Sequence, residues 1–138
     1  MASNLPPAVI AIDPGSDKCG VAVVRSSGEV SYRAIVAAAD LCTTVRTLVE
    51  RYRPQHILCG KGTGSKPLLR ALQAAGLGMA ITPMDESYTS EAARRRYVAE
   101  NPPRGLEKLL PSSLRTPSVP YDDYVAVILG ERFWASLA

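Results

Sequence analysis

The acidic side chains that could do chemistry in this chain occupy three short segments, far apart in the sequence. Asp13 ends one apolar run, Asp85 and Glu86 follow another, and Asp122 and Asp123 precede a third. Each alone is typical of a turn or a helix cap. Together they offer several hard oxygen ligands, as Mg²⁺ and Mn²⁺ require, and two such ions about 4 Å apart can promote phosphodiester hydrolysis. We therefore expect a two-metal site, provided that the fold gathers these segments.

The elements that must position these carboxylates begin with three apolar runs. Residues 8–12, 20–25 and 30–36 are rich in Val, Ile and Ala, and the turn sequences Asp-Pro-Gly-Ser and Ser-Ser-Gly-Glu separate them. Runs of this kind between turn residues are typical of β-strands. The pattern predicts a three-stranded meander in which Asp13 directly follows the first strand.

The rest of the chain alternates helical and strand patterns. Apolar residues three and four apart follow Asp40, a candidate N-cap, until Pro54 stops the helix, and Gly76 and Gly78 end a second helix. The predicted elements are a helix from 41 to 52, a strand at 56–59, a helix at 65–75, a strand at 79–83, a helix from Thr89 or Ser90 to Ala99, and a last helix from near Tyr121 through Trp134.

A meander followed by right-handed crossovers predicts an α/β fold, because each crossover helix must pack back onto the sheet. The economical arrangement is a five-stranded mixed sheet of order 3-2-1-4-5, flanked by helices. The first strand is then central, and Asp13 lies at the carboxyl edge of the sheet, where open α/β proteins usually place their chemistry.

Composition limits the class of protein. The 138 residues, 46% hydrophobic and 21% charged, fit one globular domain, predicted at 8–138 after a flexible tail at 1–7. No apolar run approaches the roughly 20 residues that span a bilayer, and no secretory signal is recognisable, so we expect a cytoplasmic protein without a membrane partner. Cys19, Cys42 and Cys59 lie in apolar or helical patterns, which favours free structural thiols.

Basic residues suggest where a polyanion would bind. The net charge of +3 decides little by itself, but one stretch of 22 residues concentrates six cations: Arg94, Arg95, Arg96, Arg104, Lys108 and Arg115. This stretch is either a contact for nucleic-acid phosphates or a solvated helix face that runs into a loop. The glycine-rich loop at 60–66 carries Lys61 and Lys66, and it is either a further contact for backbone phosphates or a plain flexible turn. It is not an ATP-binding P-loop, because Ser65 stands where that motif needs glycine.

Three blocks of the sequence resemble the signature blocks of the YqgF/RuvX family. They are Ile12-Asp13-Pro14-Gly15-Ser16 with Gly20-Val21-Ala22, then the segment 85–92, and then the segment 122–129. Their order, their spacing and the chain length all agree, so the resemblance covers almost the whole chain. That family has the ribonuclease H-like fold and is related to the Holliday junction resolvase RuvC. The turn Asp-Pro-Gly-Ser of this chain is closer to the RuvC form than to the Asp-Phe-Gly-Thr that is usual in the YqgF/RuvX family.

The resemblance implies a metal-dependent nuclease that acts on structured nucleic acid. Bacterial members of the family are implicated in trimming precursor ribosomal RNA and in resolving branched DNA. Asp13 matches the first metal carboxylate and Glu86 matches the glutamate of the Asp-Glu-Arg motif. The third ligand is Asp123 or Asp122, with Asp123 favoured because Ala126 follows it by three residues. Mg²⁺ or Mn²⁺ is the implied cofactor, and the protein is a monomer or a homodimer.

Two departures from the family pattern concern the substrate. Ser87 replaces the arginine that usually follows the glutamate, and the loop at 60–66 replaces a Gly-Leu-Pro type. RNA and branched DNA therefore both stay open as substrates.

Two other functions fit parts of the sequence. Actin-like ATPases and sugar kinases also open with Asp-x-Gly-Ser/Thr on a β-meander, but they need a second lobe to close over ATP. A catalytically silent nucleic-acid-binding module that keeps the scaffold is the other alternative. Metal-dependent cleavage, stabilisation by ATP, and binding without cleavage would separate the three.

Overall fold

The computed structural model describes residues 5–61, 65–84 and 122–137 of the chain. Five strands and three helices lie in these ranges: β1 (Ala8–Asp13), β2 (Lys18–Arg25), β3 (Val30–Ala37), α1 (Leu41–Tyr52), β4 (His56–Gly60), α2 (Ser65–Ala74), β5 (Ile81–Met84) and α3 (Asp122–Ser136). A 3-10 turn, Ala38–Asp40, joins β3 to α1.

The five strands form one sheet in the order β3-β2-β1-β4-β5, which confirms the predicted order. β1 runs antiparallel to β2 and parallel to β4, and β4 runs parallel to β5. The carboxyl ends of β1, β3, β4 and β5 therefore share one edge of the sheet, which we call the carboxyl edge. The amino ends of these strands form the opposite edge.

Alternation along the strands divides the core between two faces. Ile10 and Ile12 of β1 pack with the helices α1 and α2, whereas Val9 and Ala11 pack with α3. All four side chains are completely buried. A sheet covered on both faces explains why β1 and β2 read as nearly continuous apolar runs rather than as alternating ones.

The face under α1 and α2 holds the larger core. Leu41, Val45 and Leu48 of α1 and Leu72 of α2 are buried against it. Each fully buried Leu or Ile stabilises the fold by about 2 kcal/mol relative to an exposed position. Among the described residues, this face contains the larger of the two buried apolar clusters that cover the sheet.

α3 packs unusually close to the other face. A Cβ atom added at Gly130 would lie 2.7 Å from Cγ2 of Val24, so only glycine allows this approach. Next to the bulge between β2 and β3, the indole Nε1 of Trp134 donates a hydrogen bond to the carbonyl of Val24 at 2.9 Å. These contacts fix the position of α3, and with it the position of its first turn.

Some local predictions need correction. β5 begins at residue 81, not 79, because the turn before it uses two left-handed glycines, Gly76 (φ 67°) and Gly78 (φ 76°). Asp40 occupies the N-cap position of α1 but makes no capping hydrogen bond with its side chain. The three cysteines are free, as predicted. The predicted helix at 89–99 lies outside the described residues.

Within the described ranges, no helix is both long enough and apolar enough to span a bilayer.

Candidate functional site

Asp13 is held at the carboxyl edge by a turn with little freedom. The turn leaves β1 at Asp13 and re-enters the sheet at Lys18, so that Asp13 pairs with Gly20 of β2. A Cβ atom at Gly15 would lie 2.2 Å from the carbonyl oxygen of Lys18, a distance that no side chain tolerates. The amide of Ala38 donates a hydrogen bond to the carbonyl of Asp17 at 2.8 Å. Steric exclusion and this bond together fix the backbone that carries the carboxylate.

The pleat of β1 places Asp13 on the face that α3 covers. Successive side chains of a strand point to opposite faces, and Val9 and Ala11 already pack with α3. Asp13 is only partly buried, in contrast to the residues before it. It is thus the first side chain of β1 on this face that solvent can reach.

The first turn of α3 brings Asp123 to the same face. Its Oδ2 lies 3.1 Å from Nε of Arg33, which lies opposite Ala22 on the edge strand β3. Its Oδ1 accepts a hydrogen bond from the amide of Tyr124 at 3.1 Å. The guanidinium of Arg33 also lies 4.2 Å from the centre of the Tyr124 ring, a cation–π distance.

Arg33 is a site residue that the sequence alone did not indicate. The Asp123 side chain is 14% exposed and the Arg33 side chain is 38% exposed, so the pair is accessible from one side. Arg33 compensates the charge of the Asp123 carboxylate on this face. In the sequence, the only indication of a role for Arg33 is that it is the one charged residue in the predicted strand at 30–36.

Three lysines also lie at this edge. Lys18 begins β2, Lys61 follows β4, and Lys66 lies in the first turn of α2, and each is exposed. The amide of Lys61 donates a hydrogen bond to the carbonyl of Met84 at 2.9 Å, which ties the start of the glycine-rich loop to the end of β5. Lys61 and Lys66 were predicted as phosphate contacts, whereas Lys18 was not.

Other predicted site residues lie outside the described residues. They are Asp85, Glu86 and the six cations Arg94, Arg95, Arg96, Arg104, Lys108 and Arg115; of Asp122, only the backbone, in the first turn of α3, is described. Met84, the last residue of β5, packs on the α3 face, and the segment 85–86 follows it directly in the sequence. In the part of the chain that the structure describes, no group of three or more His, Cys, Asp or Glu residues forms a metal cage.

The donors on this face have the right chemistry for a hard cation. Asp13 and Asp123 supply carboxylate oxygens, the ligands that Mg²⁺ and Mn²⁺ prefer. A cation that binds Asp123 would have to displace Arg33 from it, or share its carboxylate.

Comparison with solved structures identifies the fold. RuvC of T. thermophilus in complex with a Holliday junction substrate aligns with a TM-score of 0.62 and 16% identity, over 96% of this chain and 96% of that chain. A second Thermus thermophilus RuvC structure aligns with a TM-score of 0.61 and 17% identity, over 95% and 96% of the two chains. The chain therefore has the RuvC-like ribonuclease H fold, as predicted. No family model and no curated protein matches the sequence.

Proposed function

We propose that this chain is a nuclease that hydrolyses phosphodiester bonds in branched DNA with the help of a divalent metal ion. The observation that carries the proposal is the placement of Asp13 on a sterically fixed turn, on the sheet face that also receives the acidic first turn of α3. The fold likeness to RuvC, which has been solved with a Holliday junction substrate, supports the choice of branched DNA.

The metal ligands we propose are Asp13, Glu86 and one aspartate of α3, Asp123 or Asp122. Bound there, Mg²⁺ or Mn²⁺ would activate water and stabilise the departing oxygen. The protein's own part is to hold the carboxylates in place and to keep their charges compensated. Arg33 compensates the charge of Asp123.

Cations at the carboxyl edge would hold the substrate through its phosphates. Lys18, Lys61 and Lys66 are exposed there, and the basic stretch from Arg94 to Arg115 is proposed to extend the contact. Contacts of this kind fix orientation and give a strong dependence on salt, with little reading of base sequence.

Structured RNA is the second candidate substrate. It is favoured by the resemblance of the segments around Asp13, at 85–92 and at 122–129 to the YqgF/RuvX blocks, because bacterial members of that family are implicated in trimming precursor ribosomal RNA. Both substrates require the same hydrolysis, so one panel of labelled nucleic acids distinguishes them.

The test compares Asp13→Asn with Asp17→Asn. Asp17 is an exposed carboxylate of the same turn, so its substitution removes the same charge without touching the proposed site. Four-way DNA junctions, linear duplexes and single-stranded RNA are incubated with each protein in Mn²⁺ or Mg²⁺. We expect cleavage of the junction by the wild type and by Asp17→Asn, and a loss of about a thousandfold or more in Asp13→Asn.

Three other results would contradict the proposal. Equal cleavage by Asp13→Asn and the wild type would remove Asp13 from the site. Binding without cleavage under every metal condition would indicate a silent module. Cleavage confined to RNA would overturn the branched-DNA assignment but keep the hydrolytic one.

A sizing column adds a separate check, because a junction resolvase should be a dimer that presents two sites.

A further inference from the structure

The edge of the sheet opposite Asp13 contains a cavity of about 630 Å³. Pro6, Arg25, Arg51, Tyr52, Arg53 and Gln55 are among its lining residues. Among the described residues, three arginines and no acid line it. A concave site of this volume is within the range that binds small molecules or one part of a larger ligand.

Arg25 forms the fixed floor of this cavity. It is 7% exposed and is the one buried charged residue in the described core. Its Nη1 donates a hydrogen bond to the carbonyl of Pro6 at 2.8 Å, and its Nε donates one to Oγ of Ser31 at 2.7 Å. Glu29, whose side chain is 63% exposed, lies 3.3 Å from the same Nε. These bonds hold the guanidinium in place, with the largely solvated carboxylate of Glu29 beside it.

Two exposed arginines complete the lining. Arg51 lies at the end of α1, with its guanidinium 5.5 Å from the centre of the Tyr52 ring, and Arg25 lies 6.0 Å from the same centre. Tyr52 is itself tied to β3, because its hydroxyl lies within hydrogen-bond distance of the Ser31 carbonyl, at 3.4 Å. Arg53 follows in a left-handed conformation (φ 47°), with its amide bonded to the carbonyl of Val49. Arg51, Tyr52 and Arg53 therefore end α1 with a defined backbone conformation, beside the buried guanidinium of Arg25.

A groove leads from this cavity towards the carboxyl edge. It has a volume of about 270 Å³, and Tyr32 of β3 and Thr43, Thr44, Thr47 and Arg51 of α1 line it. Arg51 belongs to both the groove and the cavity. Thr43 lies in the first turn of α1, so the groove begins near the carboxyl edge, on the face of the sheet opposite to the one that carries the Asp13 side chain, and ends at the arginines.

From these observations we propose that the phosphodiester backbone of a nucleic acid lies along the groove between α1 and β3 and places a phosphate in the Arg25–Arg51–Arg53 cavity. The Thr47 hydroxyl donates a hydrogen bond to the carbonyl of Thr43 at 3.1 Å, so the donors that we assign to the phosphates are the hydroxyls of Thr43, Thr44 and Tyr32 and the arginines. Hydroxyl and guanidinium donors to backbone phosphates carry no base preference. The inference rests on the proposed function only in assuming a nucleic-acid ligand.

The length of the path fits several nucleotides. From Thr43 to Arg51 the helix rises about 12 Å at 1.5 Å per residue. One strand of B-form DNA rises about 3.4 Å per nucleotide along the helix axis, and its backbone path per phosphate is roughly twice as long, so the groove would follow roughly two to three phosphates. The cavity would then grip the arm of the substrate at a distance from the cleaved bond.

The experiment measures binding without metal, so that it does not depend on cleavage. Fluorescence anisotropy with a labelled four-way junction in EDTA, from 50 to 200 mM salt, is recorded for the wild type, Arg51→Gln, Arg53→Gln and the double variant. Arg70→Gln is the matched control, because Arg70 is an exposed arginine of α2 that lines neither cavity nor groove. We expect binding by the double variant to weaken on the order of tenfold and its salt slope to fall by about two, with Arg70→Gln within twofold of the wild type.

Equal binding by the double variant and Arg70→Gln would overturn the proposal, whether or not the protein cleaves DNA. A second arm follows the arginine Nε resonances during titration with inorganic phosphate. If phosphate shifts the Nε resonance of Arg25 and competes with the junction for the protein, the result supports a site that free phosphate and the nucleic-acid backbone share. If phosphate shifts the Nε resonance of Arg25 but the double variant binds the junction as the wild type does, the proposed nucleic-acid path is overturned. The cavity would then be a site for a free anion. Loss of cleavage with intact, arginine-dependent binding would instead contradict the proposed function alone.

Discussion

The two edges of the sheet are built by different means. At the carboxyl edge, Asp13 is positioned by backbone sterics, since Gly15 approaches the Lys18 carbonyl so closely that no side chain fits. At the opposite edge, Arg25 is positioned by hydrogen bonds to Pro6 and Ser31. One edge presents oxygen ligands and the other presents guanidinium groups.

The two functions that we propose, metal binding at the carboxyl edge and phosphate binding at the opposite edge, would interfere with each other if they shared one place. A guanidinium beside the proposed metal ligands would compete with the cation, as Arg33 would at Asp123. Moving the arginines to the far end of β1, about 16 Å away for a six-residue strand, removes that competition. The sheet between the edges keeps the distance constant.

The largest effect on this arrangement is expected from Gly15→Ala. The new methyl group would meet the Lys18 carbonyl at 2.2 Å, so the turn must open. We predict a loss of about 3 kcal/mol in the free energy of unfolding, measured by urea denaturation. Cleavage should fall with it, because Asp13 moves with the turn.

Ser16→Ala is the control, since Ser16 is exposed in the same turn. It should keep wild-type stability. If Gly15→Ala were equally stable, the steric account of the Asp13 turn would be wrong.

A smaller effect is expected from Gly130→Ala, which tests the seating of α3. The added methyl group would lie 2.7 Å from Val24 Cγ2, although alanine favours the helix by about 1 kcal/mol. Overpacking outweighs this gain, and we predict a net loss of about 1–2 kcal/mol. Thermal unfolding measures it, with the exposed Ser136→Ala on the same helix as the control. A Gly130→Ala protein more stable than the wild type would show that α3 can shift without cost.

The smallest effect, and the opposite sign, is expected from Arg53→Gly. Arg53 has a φ of 47°, which glycine adopts without strain, so the variant should be more stable by about 1 kcal/mol. In a chain of this size that raises Tm by about 3–5 °C. Junction binding should nevertheless weaken. If Arg53→Gly gains stability and keeps full affinity for the junction, the Arg53 guanidinium is not a phosphate contact, and the assignment of phosphate binding to the edge opposite Asp13 is weakened.

The strands and their order could be predicted from sequence because the information is local. Turn residues such as Gly28, with φ 94°, separate the apolar runs, and short connections between these runs leave few possible topologies. The start of β5 was missed because Gly78 prolongs the preceding turn. Asp40 was correctly placed before α1, yet its capping bond is absent, since position alone does not fix a side-chain rotamer.

The charged contacts were harder to predict because they join distant segments. Arg33 and Asp123 are 90 positions apart, and nothing in either segment indicates the other. The arginines of the opposite edge are scattered between β2 and the residue after α1, whereas the basic residues from Arg94 to Arg115 form one dense stretch that the sequence makes obvious. Only the folded sheet brings Arg25 next to Tyr52.

The most direct test of the account is Mn²⁺ binding itself, read from the electron paramagnetic resonance signal of the free ion. The wild type and Asp17→Asn should remove Mn²⁺ from solution with the same affinity, whereas Asp13→Asn should leave the free-ion signal almost undiminished. Equal uptake by Asp13→Asn and the wild type would contradict the claim that the carboxyl edge of this sheet is a metal site.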